Sequence, residues 1–355
     1  MNLEKIGFNI FFQKQLEDLG IDNTTIARVI QEHKERYIIS TFEKEYEAEI
    51  TGNLRYSAKS REDFPAVGDW VQFLPFEENN AIIQKLLPRK TLLARKSVNS
   101  STERQIIAAN IDTAFVVQAV DRDFNLSRLE RYVALIYAGS IEPVVILNKV
   151  DLISKDELQA KLTQVSKRFK EIKIISISNE TLEGIDDLKN LLELNKTYCL
   201  VGSSGVGKSS IINTLLNENK IKINTISETS HKGKHTTTNR ELIILENGSI
   251  LIDTPGMREV GLTDVSEAIV KTFSIIEELS KNCKFNNCTH TDEPGCAILE
   301  ALESGNIDNK EFENFKKLMR ESQHFQASIA EKRKRDKEFG KMCKDIMKVK
   351  KKNKY

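Results

Sequence analysis

The 355-residue chain has 30% charged and 39% apolar residues, a composition typical of a globular protein of two or three domains. It contains no apolar run near the roughly 20 residues that cross a bilayer, and its first residues lack a signal-peptide pattern, so we expect no membrane association and a cytoplasmic location. An odd number of cysteines, five, agrees with a compartment in which thiols stay reduced.

The first ninety residues predict a helical lead followed by a small barrel. Residues 1–33 carry apolar side chains at near-helical spacing up to Gly20 and contain no recognisable site. Residues 34–90 contain short strand-like segments that turn residues separate, which predicts an OB-fold barrel. The predicted strands are 36–41, 45–50, 70–74 and 81–86.

The function of such a barrel stays open between two alternatives. Barrels of this size bind oligonucleotides, but they also serve as structural or protein-binding units. The pairs Arg55–Tyr56 and Arg89–Lys90 place cationic and aromatic groups near predicted loops. This combination favours RNA.

Residues 91–110 indicate a polar linker, and residues 111–262 predict a nucleotide-binding domain. Apolar strand-like segments alternate with helical patterns in this second region. That alternation is typical of a mostly parallel sheet covered by helices on both faces. We assign one apolar helical stripe to the core, namely Leu126, Leu129, Tyr132, Val133 and Ile136.

Two polar segments follow apolar strands in this domain and are suited to reading a guanine base. The first is the N-K-x-D tetrapeptide, which consists of Asn148, Lys149, Val150 and Asp151. Guanine presents two adjacent N–H donors that the carboxylate of Asp151 can accept, whereas adenine would leave this carboxylate unpaired. The second segment, with Ser178 and Asn179, can place backbone against the base.

A phosphate-binding loop comes next, between a strand-like segment and a helical one. It fits G-x-x-x-x-G-K-[ST] and consists of Gly202, Ser203, Ser204, Gly205, Val206, Gly207, Lys208 and Ser209, with Ser210 directly after it. Backbone N–H groups of the loop and the helix N-terminus would surround the phosphates. Lys208 should reach the outer phosphates, and the Ser209 hydroxyl should hold Mg²⁺. The alternative, a chance glycine-rich turn, is disfavoured by the strand and helix on either side.

Two nucleotide-sensing segments follow this loop. A polar stretch with Thr237 and Thr238 lies where a first switch is expected, and one threonine hydroxyl would complete the Mg²⁺ shell. D-x-x-G, with Asp253 and Gly256, suits Mg²⁺ held through water and a backbone N–H to the γ-phosphate. Base-reading motifs therefore precede the phosphate loop, which indicates a circularly permuted GTP-binding domain.

A zinc site is predicted in residues 263–330. Cys283, Cys288, His290 and Cys296 lie within fourteen residues and form a Cys₃His set, which suits one structural zinc ion. The alternative is a group of reduced buried cysteines. The following residues 331–355 contain twelve Lys/Arg and four Asp/Glu. This tail is either a solvated helical face or a phosphate-binding arm.

These motifs together resemble the RsgA (YjeQ/YloQ) family of ribosome-associated GTPases. The permuted motif order and the stretches 233–238, 253–259 and 283–296 carry the resemblance. It implies a multidomain α/β protein with an N-terminal OB-fold, a circularly permuted P-loop GTPase domain and a C-terminal helical zinc domain. It also implies late maturation of the small ribosomal subunit, with the subunit and its rRNA as partners and stimulation of GTP hydrolysis by the subunit.

The catalytic group is expected to be a histidine. The position after D-x-x-G, where many GTPases have a water-orienting Gln, is Met257. His235, in the first switch, can accept a hydrogen bond from water near neutral pH. The matching His of the RsgA family is proposed to be catalytic, which points to the same residue; the alternative is a loop histidine that contacts rRNA or stabilises the switch.

Two functions remain in competition. The first is a GTPase, acting as a monomer on GTP with Mg²⁺, releasing GDP and phosphate. The second is a nucleotide-dependent RNA-binding module whose hydrolysis is incidental. The intact phosphate loop and D-x-x-G favour the enzyme, and turnover with and without small subunits separates the two.

Overall fold

The computed structural model describes residues 2–33, 36–97, 102–216, 240–254, 261–263 and 265–352. For residues 332–333, 335–336 and 338–352 it describes the backbone alone. No helix in these described ranges is both long and apolar enough to cross a membrane.

A helical lead packs over one end of a barrel. Its elements are the short 3-10 turns Leu3–Ile6 and Asn23–Thr25 and the helix α1, Ile10–Leu19. Gly20 ends α1 in the left-handed region, with a φ of 62° that favours glycine. Phe12 and Leu16 on the buried face of α1 join Trp70 of the barrel in one apolar cluster.

Five strands close into this barrel. They are β1 (Ile26–His33), β2 (Arg36–Ser40), β3 (Glu45–Ile50), β4 (Trp70–Phe76) and β5 (Asn80–Leu86), with helix α2 (Gly52–Ser57) and the 3-10 turn Arg61–Asp63 between β3 and β4. The order is β1-β2-β3-β5-β4, and pairing of β4 with β1 completes the ring. Inward-facing apolar residues such as Val29, Ile39, Val71 and Ile83 fill it.

Strand β1 lies inside residues 1–33, which the sequence analysis assigns to the helical lead. The prediction of a helical lead is therefore wrong beyond Thr25. The first five residues of β1 are buried on both faces. Such a strand lacks the apolar–polar alternation that identifies strands in a sequence.

A hairpin replaces the expected polar linker 91–110. Strands β6 (Leu92–Lys96) and β7 (Arg104–Ala109) form a separate two-stranded sheet. Leu93 and Ala108, which face each other across it, are fully buried. The polar residues between the strands dominate the composition and conceal this hairpin in the sequence.

The nucleotide-binding region is a six-stranded, mostly parallel sheet, as predicted. Its strands are β8 (Thr113–Ala119), β9 (Glu142–Asn148), β10 (Lys173–Ile177), β11 (Thr197–Val201), β12 (Glu241–Ile244) and β13 (Ile250–Asp253). The order is β10-β9-β8-β11-β13-β12, with β12 alone antiparallel to its neighbour in this set. The carboxyl ends of the parallel strands therefore meet at one edge.

Helices cover both faces of this sheet. They are α3 (Leu126–Ala138), α4 (Lys155–Arg168), α5 (Ile185–Asn190) and α6 (Lys208–Leu216), with a 3-10 turn at Val150–Leu152. α3 and α4 pack on one face, and α5 and α6 on the other. The predicted core stripe of α3 is confirmed at Leu129, Tyr132, Val133 and Ile136, all of which are buried.

The barrel and this sheet are joined by hydrogen bonds between strands. β1 pairs with β12 at Gln31 and Glu241, which makes one continuous sheet of eleven strands. Beside this junction the buried Arg28 donates to the carbonyls of Ile6, Gly68 and Asn110, at 2.6, 3.2 and 3.2 Å. One side chain thus holds the lead, the barrel and the residues before β8 together.

Four helices complete the chain: α7 (Ser266–Thr272), α8 (Ser274–Ser280), α9 (Ala297–Glu303) and α10 (Asn309–Lys352). They share an apolar core with the α3 face of the sheet. Glu321 of α10 accepts a hydrogen bond from Leu262 N at 2.9 Å and pairs with Arg131 of α3 at 2.8 Å. Helix α10 continues through the predicted tail, residues 331–355, as far as Lys352.

Candidate functional site

The phosphate loop joins β11 to α6 and has the backbone that its glycines predict. Gly202, Gly205 and Gly207 have positive φ values of 152°, 83° and 99°. A Cβ atom on Gly202 would lie 2.4 Å from the carbonyl oxygen of Val117, and one on Gly207 would lie 2.2 Å from Nδ2 of Asn148. The tight approach of neighbouring residues therefore requires glycine at these two positions.

Lys208 and the start of α6 place positive charge at this loop. The Nζ of Lys208 donates to the carbonyls of Gly202 and Ser203, at 2.8 and 2.6 Å, so the ammonium lies over the loop. Ser209 and Ser210 lie in the first turn of α6, which begins at Lys208. The helix N-terminus adds its partial positive charge.

Asp253 lies at the carboxyl end of β13, next to β11 and the phosphate loop. Burial raises the pKa of Asp253 to about 6, and the nearby charge of Lys208 opposes this rise. The next residue, Thr254, donates through its hydroxyl to the carbonyl of Leu200 at 2.8 Å and holds the strand end in place. A desolvated carboxylate at the end of a strand is an oxygen ligand that suits Mg²⁺.

The residues that the sequence predicts to read the base meet at the ends of β9 and β10. Ser178 donates through its hydroxyl to Oδ1 of Asp151 at 2.5 Å, which holds the carboxylate in place. Lys149 adopts a left-handed backbone with φ 65°, and its Nζ donates to Asp121 at 3.2 Å. The ion pair with Asp121 therefore fixes the end of the Lys149 side chain.

Asn148 connects the base-reading segment to the phosphate loop. Its Nδ2 donates to the carbonyl of Val206 at 2.7 Å, and its Oδ1 accepts from Nδ2 of Asn179 at 3.2 Å. The side chain of Thr214 on α6 donates in turn to Asn179 at 3.1 Å. Residues far apart in sequence are thus hydrogen-bonded into one unit.

Three functional candidates follow β8 and were missed by the sequence reasoning: Asp121, Asp123 and Arg128. Ser203 of the phosphate loop donates to Asp123 at 2.8 Å, and Arg128 donates to both, at 2.6 Å to Asp123 and 3.0 Å to Ser203. Their position after β8 could have identified them, because β8 lies between β9 and β11 and ends at the same edge of the sheet.

The described residues bring nearly all predicted nucleotide contacts to this edge: Asn148, Lys149, Val150, Asp151, Ser178, Asn179, the loop 202–209, Ser210 and Asp253. The other predicted contacts are Thr237, Thr238 and Gly256, and the candidate catalytic group is His235. These four lie in 217–239 and 255–260, outside the described residues.

A second site lies between α8 and α9. The ligand atoms of Cys283, Cys288, His290 and Cys296 lie within 4.8 Å of one another. Nδ1 of His290 is 3.7 Å from Sγ of Cys283 and 3.4 Å from Sγ of Cys296, and these two sulfurs are 4.0 Å apart. Tetrahedral zinc, with bonds of about 2.0–2.3 Å, places neighbouring ligand atoms about 3.5–3.8 Å apart, so the set fits a zinc ion.

The backbone around this cluster is held by Glu293. Its carboxylate accepts from the backbone N–H groups of Thr289 and Thr291, at 2.7 and 2.9 Å. The hydrogen bond from the Thr289 hydroxyl, together with these backbone hydrogen bonds, holds the pKa of Glu293 well below its usual range. His290 has a left-handed φ of 59°, which the turn imposes and which directs its ring toward the sulfurs.

The geometry agrees with what the chain resembles. Residues 86–263 match the sequence profile of the RsgA GTPase family. A relative from Bacteroides thetaiotaomicron, named small ribosomal subunit biogenesis GTPase RsgA 1, is 38% identical over 353 residues, 98% of each chain. One from Lactiplantibacillus plantarum, named small ribosomal subunit biogenesis GTPase RsgA 2, is 41% identical over 324 residues, 90% of this chain and 89% of that one.

Solved structures show a similar fold. YjeQ from Thermotoga maritima is 26% identical with a TM-score of 0.63, over 84% of this chain and 98% of that chain. YloQ, described as a circularly permuted GTPase, is 22% identical with a TM-score of 0.58, over 86% of this chain and 95% of that chain. The predicted permuted GTPase fold is therefore confirmed.

Proposed function

This chain belongs to the RsgA GTPase family, and from that premise we propose that it hydrolyses GTP to GDP and phosphate in the biogenesis of the small ribosomal subunit. The observation that carries the proposal is the junction at Asn148. A guanine-reading segment and a phosphate loop are hydrogen-bonded to each other through this one side chain. That arrangement suits one nucleotide lying across both.

Guanine selectivity is assigned to Asp151. Its carboxylate is held by Ser178 and would accept both N–H donors of the base edge. Asn148, Asn179 and the stem of Lys149 would frame the ring. Adenine offers no matching pair of donors, which supports GTP over ATP.

Phosphate and metal binding are assigned to the loop 202–209 and to β13. The loop backbone and Lys208 would hold the phosphates, and the hydroxyl of Ser209 with the carboxylate of Asp253 would hold Mg²⁺. Thr237, Thr238 and Gly256 are expected to complete this site, with His235 orienting water. Mg²⁺ supplies charge neutralisation at the phosphate oxygens when bound.

The Cys₃His cluster is assigned to one structural Zn²⁺ per chain. All four ligands come from the protein, which leaves no open position for a substrate and argues against a catalytic role. We expect the protein to act as a monomer in the cytoplasm, with the small subunit and its rRNA as partners.

GTP hydrolysis measured with and without purified small subunits tests the proposal. We expect strong stimulation by subunits and no comparable hydrolysis of ATP. Lys208→Ala is the control, because it removes the ammonium over the phosphate loop and should abolish both basal and stimulated turnover. Intact subunit binding without any stimulation would favour the alternative, a nucleotide-dependent RNA-binding module with incidental hydrolysis.

A further inference from the structure

One outer face of the barrel combines acidic and apolar side chains. On β3, every second residue points away from the apolar interior, and all three of these are glutamates. Neighbouring strands β5 and β4 continue the same outer surface. We name the following set the acidic–apolar face: Glu45, Glu47, Glu49, Ile82, Leu74 and Phe76.

The register of the strands places these side chains in rows. Glu49 lies opposite Ile82, which lies opposite Leu74. In the next row Glu47 is connected through β5 to Phe76. Leu74 and Phe76 are 52% and 44% exposed, which is unusual for large apolar side chains side by side on a rigid sheet.

The charge around these apolar residues is negative. The segments 36–49 and 74–86 contain six glutamates and three Lys/Arg. Two of the three cations are engaged: Arg36 pairs with Glu49 at 3.5 Å, and Lys44 donates to the carbonyl of Glu78. Glu45 and Glu47 remain exposed on β3, and Glu47 lies in the same row as Phe76.

These properties disfavour RNA on this face, because a row of carboxylates repels phosphates. Arg89, which favoured RNA in the sequence, is engaged in the fold. It forms a buried ion pair with Asp69 at 2.7 Å and donates to the carbonyls of Glu62 and Phe64. It is therefore not part of a free cationic surface.

We propose that the acidic–apolar face binds a cationic protein segment, whose Lys/Arg residues pair with Glu45 and Glu47 and whose apolar side chains cover Leu74 and Phe76. Apolar anchors surrounded by complementary charge are the arrangement that specific protein interfaces use. This contact goes beyond the proposed function. Only the use of small-subunit components as probes rests on the proposed function.

Charge reversal tests the sign of the interaction. The double variant Glu45→Lys, Glu47→Lys is compared with wild type for binding to three probes: purified small subunits, protein extracted from them, and rRNA extracted from them. We expect binding to the extracted protein to weaken about tenfold or more. Glu171→Lys with Glu193→Lys, two exposed glutamates elsewhere, is the matched control and should change little.

The same variant would strengthen binding if the face contacted RNA. Stronger or unchanged binding of the extracted protein by the double variant overturns the proposal, and so does a wild-type chain that does not bind this protein fraction. If wild type binds the extracted protein but its GTP hydrolysis is not stimulated by subunits, the result counts against the proposed function and not against this contact.

A photo-cross-linking residue at Phe76 provides a second measurement that does not depend on charge. In the complex with purified subunits, we expect a cross-linked product that RNase leaves intact and that contains a basic subunit protein. A product destroyed by RNase, or no product in a complex that forms normally, overturns the proposal.

Discussion

The choice of base is expected to depend on Asp151. Asp151→Asn removes the carboxylate that would accept two N–H donors, so we expect GTP to bind about a hundredfold more weakly. Xanthosine triphosphate, whose base edge carries a carbonyl in place of the amino group, should bind better to the variant than to wild type. Titration with both nucleotides measures this change in base preference. Asp156→Asn, on the exposed surface of α4, is the control. Equal affinity of wild type for ATP and GTP would contradict the assignment.

His235 is the residue on which stimulated turnover is expected to depend. His235→Ala should lower subunit-stimulated hydrolysis about a hundredfold, the scale of a positioned acid–base group. GTP binding and subunit binding should change little. Single-turnover hydrolysis and subunit binding are measured in parallel, with His324→Ala on α10 as control. If stimulated turnover persists, or falls only because subunit binding is lost, another group orients the water.

At the scale of elements, the connection between α8 and α9 is expected to depend on a zinc ion. We expect one zinc ion per chain. Its removal should unfold the C-terminal helices, because no other bond holds the three thiols and the imidazole together. Metal analysis and circular dichroism before and after chelation measure this. Cys296→Ser should lose zinc, whereas Cys199→Ala, a buried cysteine of β11, should retain it. Pure protein without zinc would refute the site.

Elements with local signals were predictable, and those that depend on distant contacts were not. The phosphate loop and the Cys₃His set are recognised by spacing within about fourteen residues. Strand β1 is buried on both faces and its identity depends on partners such as β4 and β12, which lie far along the chain. The hydrogen bond between Ser203 and Asp123 joins residues 80 positions apart, and no local sequence pattern predicts it.

At the scale of the whole molecule, a buried charge cluster joins the sheet to the C-terminal helices. Glu130 of α3 accepts from Arg168 of α4 at 2.6 Å and from Asn314 of α10. Arg168 also pairs with Asp308 and Glu311, at 3.1 and 3.5 Å. Burial raises the pKa of Glu130 to about 7, although Arg168 opposes the rise.

This cluster should make stability depend on pH. A carboxyl whose pKa is raised by folding stabilises the protein at low pH, and that contribution is lost as the pH rises from its ordinary value of 4.5 through about 7. We expect the unfolding free energy of Glu130→Gln to fall less steeply over this window, by up to about 1.4 kcal/mol per pH unit. Urea unfolding at several pH values measures the slope, with exposed Glu303→Gln as control. Identical slopes for wild type and Glu130→Gln would show that Glu130 does not titrate in this range.

Helix α10 has the mechanics of a lever arm. Glu321 ties it to Leu262 and to α3, and Phe325 is its last fully buried side chain in the described part. From there the helix runs to Lys352, roughly 40 Å at 1.5 Å per residue. A rotation of one degree at the tie moves the far end by roughly 0.7 Å at this length. Small displacements beside the nucleotide-binding sheet are therefore magnified at the basic end of the chain, in proportion to the length of an unbroken helix.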